Sequence, residues 1–294
     1  MSQAARDRWA EWLLERRFGG DRAQRDRVLR DVSQFRDRVL DGARLGHGET
    51  LLDVGAGDGL VGFGALERNG PDGVVVFSDV SAELLEHCRA LAAELGVAPR
   101  CRFVRASADD LAPIADASVD VVTTRSVLIY LDREGKRRAF EEFHRVLRPR
   151  GRVSIFEPIN SFGHPRPAGW FFGYDLTAVP ELVAKLLPFA SPAADATLVD
   201  FDERDLLAWA EEAGFDPIRL DYEAEIKPGS WLAGPWETVL RTSPNPLAPT
   251  LGEALERALS AEERDVFEQH LRPLVEADAG RARMASAYLT ATKS

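Results

Sequence analysis

From residue 50 onward, short apolar runs alternate with longer stretches of helical spacing, and few folds accept such a pattern. Runs at 50–54, 74–78, 101–105, 119–124 and 151–157 read as strands, with helices at about 60–69, 82–95 and 134–147 between most of them. A helix between two strands carries the chain back to the end where it began, so the strands pair in parallel and helices cover both faces. A helix at 203–213, stopped by Gly214, leads into a strand at 216–226, and "RARMASAYLTATK" at 281–293 reads as a last strand. Upstream, two helices are expected at 3–18 and 22–44, their arginines spaced against Asp and Glu as i,i+4 ion pairs.

Two stretches interrupt this order. Residues 158–202 are rich in Pro, Gly and aromatics without a clear period, and 228–280 hold loops and expected helices near 251–258 and 261–277. Because the closing strand follows the second stretch, one domain with two insertions is expected, the insertions building a largely helical lid and the N-terminal helices a cap. An N-terminal helical cap (1–46) precedes a main domain (47–294) with insertions at about 158–202 and 228–280.

Composition narrows the partners. A net charge of −11 repels polyanions, so nucleic acid is not an expected partner. No run of eighteen apolar residues predicts a membrane span, and the N-terminus lacks the apolar core of a signal peptide. Cys88 and Cys101 are the two cysteines, which suits a reduced cytoplasmic setting and supplies no metal-ligand cluster. A homodimer through the N-terminal helices is a possible assembly.

The first strand ends in "LLDVGAGDGLVGFG", where Asp53 gives way to Gly55, Gly57 and Gly59. A strand, a glycine turn and a helix serve two ligand classes. The spacing Gly57-x-Gly59-x-x-Gly62, with Asp79 about twenty residues on, satisfies the dinucleotide fingerprint, as in a nicotinamide-dependent oxidoreductase. The acids oppose that reading. A pyrophosphate near Asp53 and Asp58 meets like charge, at a cost of roughly several kcal/mol at an effective dielectric near 20. A ligand with a cationic centre and no phosphate, such as S-adenosylmethionine, turns the same carboxylates into attraction.

Four motifs in order resemble the class I S-adenosylmethionine-dependent methyltransferases, over roughly residues 48–160. "LLDVGAGDG" resembles their first motif and "VVVFSDVSAELLEHCR" the second, while "FVRASADDLAPIADASVDVVTTRSVLIYL" and "FHRVLRPRGRVSIFEPIN" resemble the adenine loop with the fourth strand and the helix, turn and fifth strand. The resemblance implies an α/β, Rossmann-like sheet of seven mostly parallel strands in the order 3-2-1-4-5-7-6, the last strand antiparallel, with S-adenosyl-L-methionine as cofactor. It places Asp53, Gly55 and Gly57 at the glycine turn, Asp79 on the ribose hydroxyls with Val80 beside it, and Ser107, Ala108 and Asp109 at the adenine. Asp79 also reads as a capping residue, although Ser81 is the better N-cap, and "ADD" reads equally as an ordinary polar loop. Ser107 stands where the family usually has an acid, and Arg150 replaces a glycine in the turn before the fifth strand.

At the carboxyl ends of the fourth and fifth strands stand Arg125, Ser126, Glu157 and Asn160. Ligands of open α/β sheets collect at such ends, so Ser126 is expected at the cofactor and Arg125 is expected to face cofactor or substrate, unless it forms a structural ion pair. Glu157 and Asn160 are candidate substrate contacts, with Glu157-Pro158 also a plausible strand stop. His164, Tyr174 and Asp175 are the candidate proton acceptors. Phe162, Trp170, Phe171, Trp231 and Trp236, in the insertions, read either as the core of a lid or as walls of a substrate pocket. The expected activity is methyl transfer to a small organic acceptor, an O-, N- or C-nucleophile, in specialised (natural product) metabolism. A non-catalytic S-adenosylmethionine-binding protein stands beside it as the alternative.

Overall fold

All seven apolar runs form strands: β1 (Thr50–Val54), β2 (Val74–Asp79), β3 (Cys101–Arg105), β4 (Val119–Arg125), β5 (Leu147–Pro158), β8 (Phe215–Pro228) and β9 (Arg281–Lys293). Between β5 and β8 lies a two-stranded ribbon, β6 (Trp170–Phe171) and β7 (Tyr174–Asp175). The large sheet has the order β3-β2-β1-β4-β5-β9-β8. Strands β1 to β5 pair in parallel, and β9 runs antiparallel to β5. These assignments come from a computed structural model that describes residues 7–164, 167–190 and 193–294, apart from the side chains of 22–31 and 193–195.

Helices fill the gaps much as their caps predict. They are α1 (Arg8–Leu14), α2 (Arg22–Ala43), α3 (Leu60–Arg68), α4 (Ala82–Glu94), α5 (Arg133–Val146), α6 (Pro180–Ala190), α7 (Glu203–Glu212), α8 (Trp236–Leu240), α9 (Leu251–Ala258) and α10 (Ala261–Glu276). The Ser81 hydroxyl accepts from the Leu84 amide at 3.0 Å, so Ser81 is the cap of α4. Capping boxes start α9 (Thr250 with Glu253) and α10 (Ser260 with Glu263). The helix expected at 3–18 is shorter: α1 ends at Leu14, a 3₁₀ turn follows at Arg16–Phe18, and residues 3–6 lie outside the described residues. Helices α6 and α8 lie in the two insertions, which the sequence predicts to be largely helical without spans for these two. Strand β5 begins at Leu147, ahead of the expected start, and takes in the "PRG" turn with Arg150 at φ +65°. The pairing of β4 with β5 shifts register between Val119 and Val121, which absorbs the irregularity.

The chain divides into two compact units. The described parts of 29–159, 200–223 and 286–294 form the sheet unit, and those of 1–28, 160–199 and 224–285 form the second. This division cuts through the expected N-terminal cap. Val39, Leu40 and Ala43 of α2 are buried with Leu51, Val61 and Val75, so this end of α2 belongs to the sheet unit. In the second unit, Trp12 donates to the Ser243 carbonyl at 3.0 Å and Arg16 pairs with Glu253 at 3.2 Å, tying α1 and its turn to the later insertion. Its core gathers Phe171, Val183, Leu186, Trp236, Leu255 and Phe267. Among the described residues no helix is long and apolar enough to cross a membrane.

Helix α3 lies so close to β2 that a Cβ on Gly62 would stand 2.3 Å from the Phe77 ring. Helix propensity alone favours Gly62→Ala by about 1 kcal/mol. Overpacking against a fully buried ring costs about 1–3 kcal/mol, so the substitution is expected to destabilise the sheet unit. Urea melts of the variant and the parent test the sign.

Candidate cofactor site

Strands β1, β2 and β4 end side by side. Val54 pairs with Ser78 on one side and Thr124 on the other, which puts Gly55, Asp79 and Arg125 at one level of the sheet, in strands about 4.8 Å apart. Gly55 and Gly57 follow at φ +65° and +57°, a backbone that other L-residues adopt only at a cost. At Gly55 the constraint is also steric, because a Cβ would meet Val127 Cγ2 at 2.3 Å.

The acids are held by main-chain amides. Asp53 is 2% exposed. It accepts from the Gly62 amide at 2.9 Å and from the Thr123 hydroxyl at 3.1 Å. Thr123 is its register partner on β4, and parallel neighbours project to the same face. Asp53 therefore clamps α3 to β1, and its carboxylate is committed inward rather than displayed at the turn. Asp79 accepts from the Gly57 amide and from the Ser81 amide, both at 2.9 Å. A carboxylate has sites for about four hydrogen bonds, and these two orient it at the end of β2. Val80 follows it with a side chain 40% exposed, an apolar surface where a flat ring could rest.

This donor set fits a cationic ligand better than a phosphate. The Gly57 and Gly62 amides, which a pyrophosphate would seek at a helix start, are already taken by Asp79 and Asp53. Beneath the turn, the Cys88 thiol donates to the Gly57 carbonyl at 3.3 Å. Burial pushes that thiol up, and Asp58, Asp53 and Asp79 push it further, so three carboxylates converge on this spot and the thiol stays protonated.

The remaining rim residues are placed as follows. Ala108 is buried. The Ser107 hydroxyl bonds the Asp109 carboxylate, which also pairs with Arg138 at 2.8 Å. Burial acts against ionisation of Asp109, but Ser107 and Arg138 together hold its carboxyl below the usual range. The half-buried Arg125 side chain makes no hydrogen bond or salt bridge among the described residues, and its charge is felt by Asp53. Ser126 sits at φ +56° with its amide bonded to the Phe156 carbonyl at 2.9 Å, a strained non-glycine backbone at the rim. Glu157, expected at the substrate, is fully buried and accepts from three main-chain amides, those of Val127, Leu128 and Ile129.

Sequence reasoning missed Lys136. It is fully buried on α5, where its ammonium bonds the Leu131 carbonyl at 2.5 Å and Asp200 at 2.7 Å, and burial lowers its pKa. In "DREGKRRAF" it reads as one of several surface cations, and only the apolar spacing of Ala139, Phe140 and Phe143 hints that this face turns inward.

The candidates in the second unit separate by burial. Phe171, Tyr174 and Trp236 belong to its core. Burial raises the pKa of the Tyr174 phenol, which keeps it protonated. Asp175 is exposed, and its carboxylate accepts from the Thr177 amide at 3.0 Å and hydroxyl at 2.7 Å, which holds its pKa low. Neither has the properties of a base near neutral pH. His164 is exposed, Asn160 begins a 3₁₀ turn and Trp170 is half-buried. The Arg283 guanidinium lies 5.2 Å from the Phe162 ring centre. Trp231 is 47% exposed and meets Phe172 edge-on at 5.2 Å.

Burial pushes the Asp53 carboxyl from its usual 3.8 up to about 7. An acid with a raised folded-state pKa keeps a proton that the unfolded chain releases, so stability falls as pH rises through that window. Denaturant melts should show the sheet unit losing stability from about pH 4 to pH 7. Asp53→Asn, which preserves a partner for both Gly62 and Thr123, should flatten part of that slope.

Comparisons with known proteins fall on this geometry. Residues 51–151, from β1 into β5, match the family described as a methyltransferase domain. The chain is 33% identical over 178 residues to arsenite methyltransferase of Halobacterium salinarum, covering 60% of this chain and 40% of that protein. It is 32% identical over 185 residues to the ubiquinone/menaquinone biosynthesis C-methyltransferase UbiE of Stutzerimonas stutzeri, covering 61% of this chain and 69% of that one. Geranyl diphosphate C-methyltransferase of Streptomyces coelicolor shares the fold, with a TM-score of 0.52 at 16% identity over 89% of this chain and 76% of that one. On the relation to UbiE and the strand order that accompanies it, the chain belongs to the class I S-adenosylmethionine-dependent methyltransferases.

Proposed function

We propose that this enzyme methylates a small organic acceptor at oxygen, nitrogen or carbon, in specialised metabolism. The observation that carries the site is the Asp79 carboxylate, oriented by two amides beside a glycine-rich turn. In this reading Asp79 holds the ribose hydroxyls of the cofactor. Val80 and Ala108 border the adenine, and Gly55 and Gly57 let the sulfur end approach the main chain. S-adenosylmethionine supplies an electrophilic methyl group when bound. The protein's task is alignment, which is worth about 7–11 kcal/mol when two reactants are held in line. Asp53 contributes by fixing α3, and Asp58 and Asp79 by favouring a cationic ligand.

A small acceptor is supported by the relatives, which are named for arsenite, ubiquinone or menaquinone biosynthesis and geranyl diphosphate. The acidity of the chain also disfavours polyanionic acceptors. Trp231, Trp170 and Phe162 supply aromatic surface for an acceptor, whereas Phe171 and Trp236 hold the second unit together. Arg125 and Ser126 would orient a polar group at the rim. Where the acceptor must lose a proton, His164 or solvent takes it.

Asp79→Ala should weaken binding of S-adenosylhomocysteine by about tenfold or more, the scale of a lost charge-assisted pair of hydrogen bonds. Calorimetry reads this directly, and an unchanged dissociation constant would remove the ribose assignment. Incubation with methyl-labelled S-adenosylmethionine and a panel of phenols, amines and activated carbon acids should yield a labelled small product. Label found only in protein or nucleic acid would overturn the acceptor class.

A further inference from the structure

Glu157 stands at the end of β5 with no exposed surface, yet its partners are main-chain amides of a different segment. One oxygen accepts from Val127 at 2.8 Å and Leu128 at 3.0 Å, and the other from Ile129 at 3.3 Å. These amides open the 3₁₀ turn Leu128–Tyr130, and the first amides of a helical turn have no partner within it. A carboxylate from the neighbouring strand thus caps the turn that leaves β4.

The turn bears on the cofactor site through Val127. A Cβ on Gly55 would lie 2.3 Å from Val127 Cγ2, 3.2 Å from its Cγ1 and 3.3 Å from its Cβ, so the valine side chain packs directly on the Gly55 main chain. Ser126, just before it, holds φ +56° with its amide on the Phe156 carbonyl, so the chain is pinned on both sides of Val127.

We propose that Glu157 is a positioning residue for cofactor binding: by fixing the amides of Val127, Leu128 and Ile129 it sets Val127 against Gly55, and so shapes the turn that receives the sulfur end of the cofactor. This rests on the cofactor reading above and adds a residue that touches no ligand. The carboxylate acts through one loop, so its influence is local. Asp79 ends β2 and Val80 follows it, in a segment of chain separate from that loop. Loss of Glu157 therefore acts on the homocysteine portion of the ligand and spares the adenosine portion.

The test is calorimetry on the full chain with S-adenosylhomocysteine and, separately, adenosine. Glu157→Gln keeps the volume but turns an amide donor toward the Ile129 N–H. It should weaken S-adenosylhomocysteine binding about five- to twentyfold, while adenosine affinity stays within about twofold. Val127→Ala, which leaves the three amide bonds intact, should reproduce the selective loss, and the double variant should lose no more than the larger single one. Equal loss for both ligands, or unchanged S-adenosylhomocysteine affinity in a folded Glu157→Gln, would overturn the proposal. If that variant does not fold, unchanged affinity in Val127→Ala overturns it. An unsubstituted chain that binds neither ligand would instead refute the cofactor reading itself.

Discussion

Carboxylates bonded to the amides of the glycine turn and the adjoining helix start are what the site depends on. Asp53 from β1 takes the Gly62 amide and Asp79 from β2 takes the Gly57 amide, so one strand holds the helix start and the other the turn. A turn with three glycines in five residues would otherwise be among the softest parts of the sheet's edge, because glycine has the most conformational freedom to lose. Here its dihedral angles are set by neighbours rather than by its own residues. The same bonds decide what the turn can bind. Amides bonded to carboxylates no longer serve an anion, while the surplus negative charge favours a cation.

A second consequence concerns burial. Asp53 and Glu157 are both fully enclosed, and burial pushes each carboxyl up to about 7, with hydrogen bonds opposing the rise. Two acids poised near neutrality are a price in stability, since each loses its native proton as pH rises. Their geometry accounts for their presence: each ties its strand to another part of the sheet unit, Asp53 also reaching Thr123 on β4. Asp53 joins β1 to the first turn of α3, and Glu157 joins β5 to the loop after β4.

The sheet was legible because its signals are local. Apolar runs, an acid at the end of a strand, and Ser81 before a helix each speak within a few residues. Gly55 and Gly57 were legible for the same reason, since only their backbone conformation was at issue. The direction in which an acid points was not legible. Asp53 reads as a ligand contact, and Glu157 reads as a rim residue until Val127, thirty residues earlier in the chain, is seen to receive it. Lys136 was hidden among like-charged neighbours, and its partner Asp200 is 64 residues away. The insertions read as largely helical, but the spans of α6 and α8 escaped because Pro188 lies within α6 and α8 is a five-residue segment, too short for a period to emerge.

The second unit draws on three separated stretches of chain, and the sheet unit on three others, so the polypeptide passes from one to the other five times. Neither is a cassette that one cut and one graft could transfer. The pairing of β5 with β9, from Arg152–Thr292 to Pro158–Ser286, joins residues more than a hundred positions apart. On a ribosome, β5 must wait unpaired on that side until β9 has emerged, and such a strand edge invites association with other chains. Evolution of such a molecule is therefore expected to proceed by point substitutions rather than by exchange of whole segments.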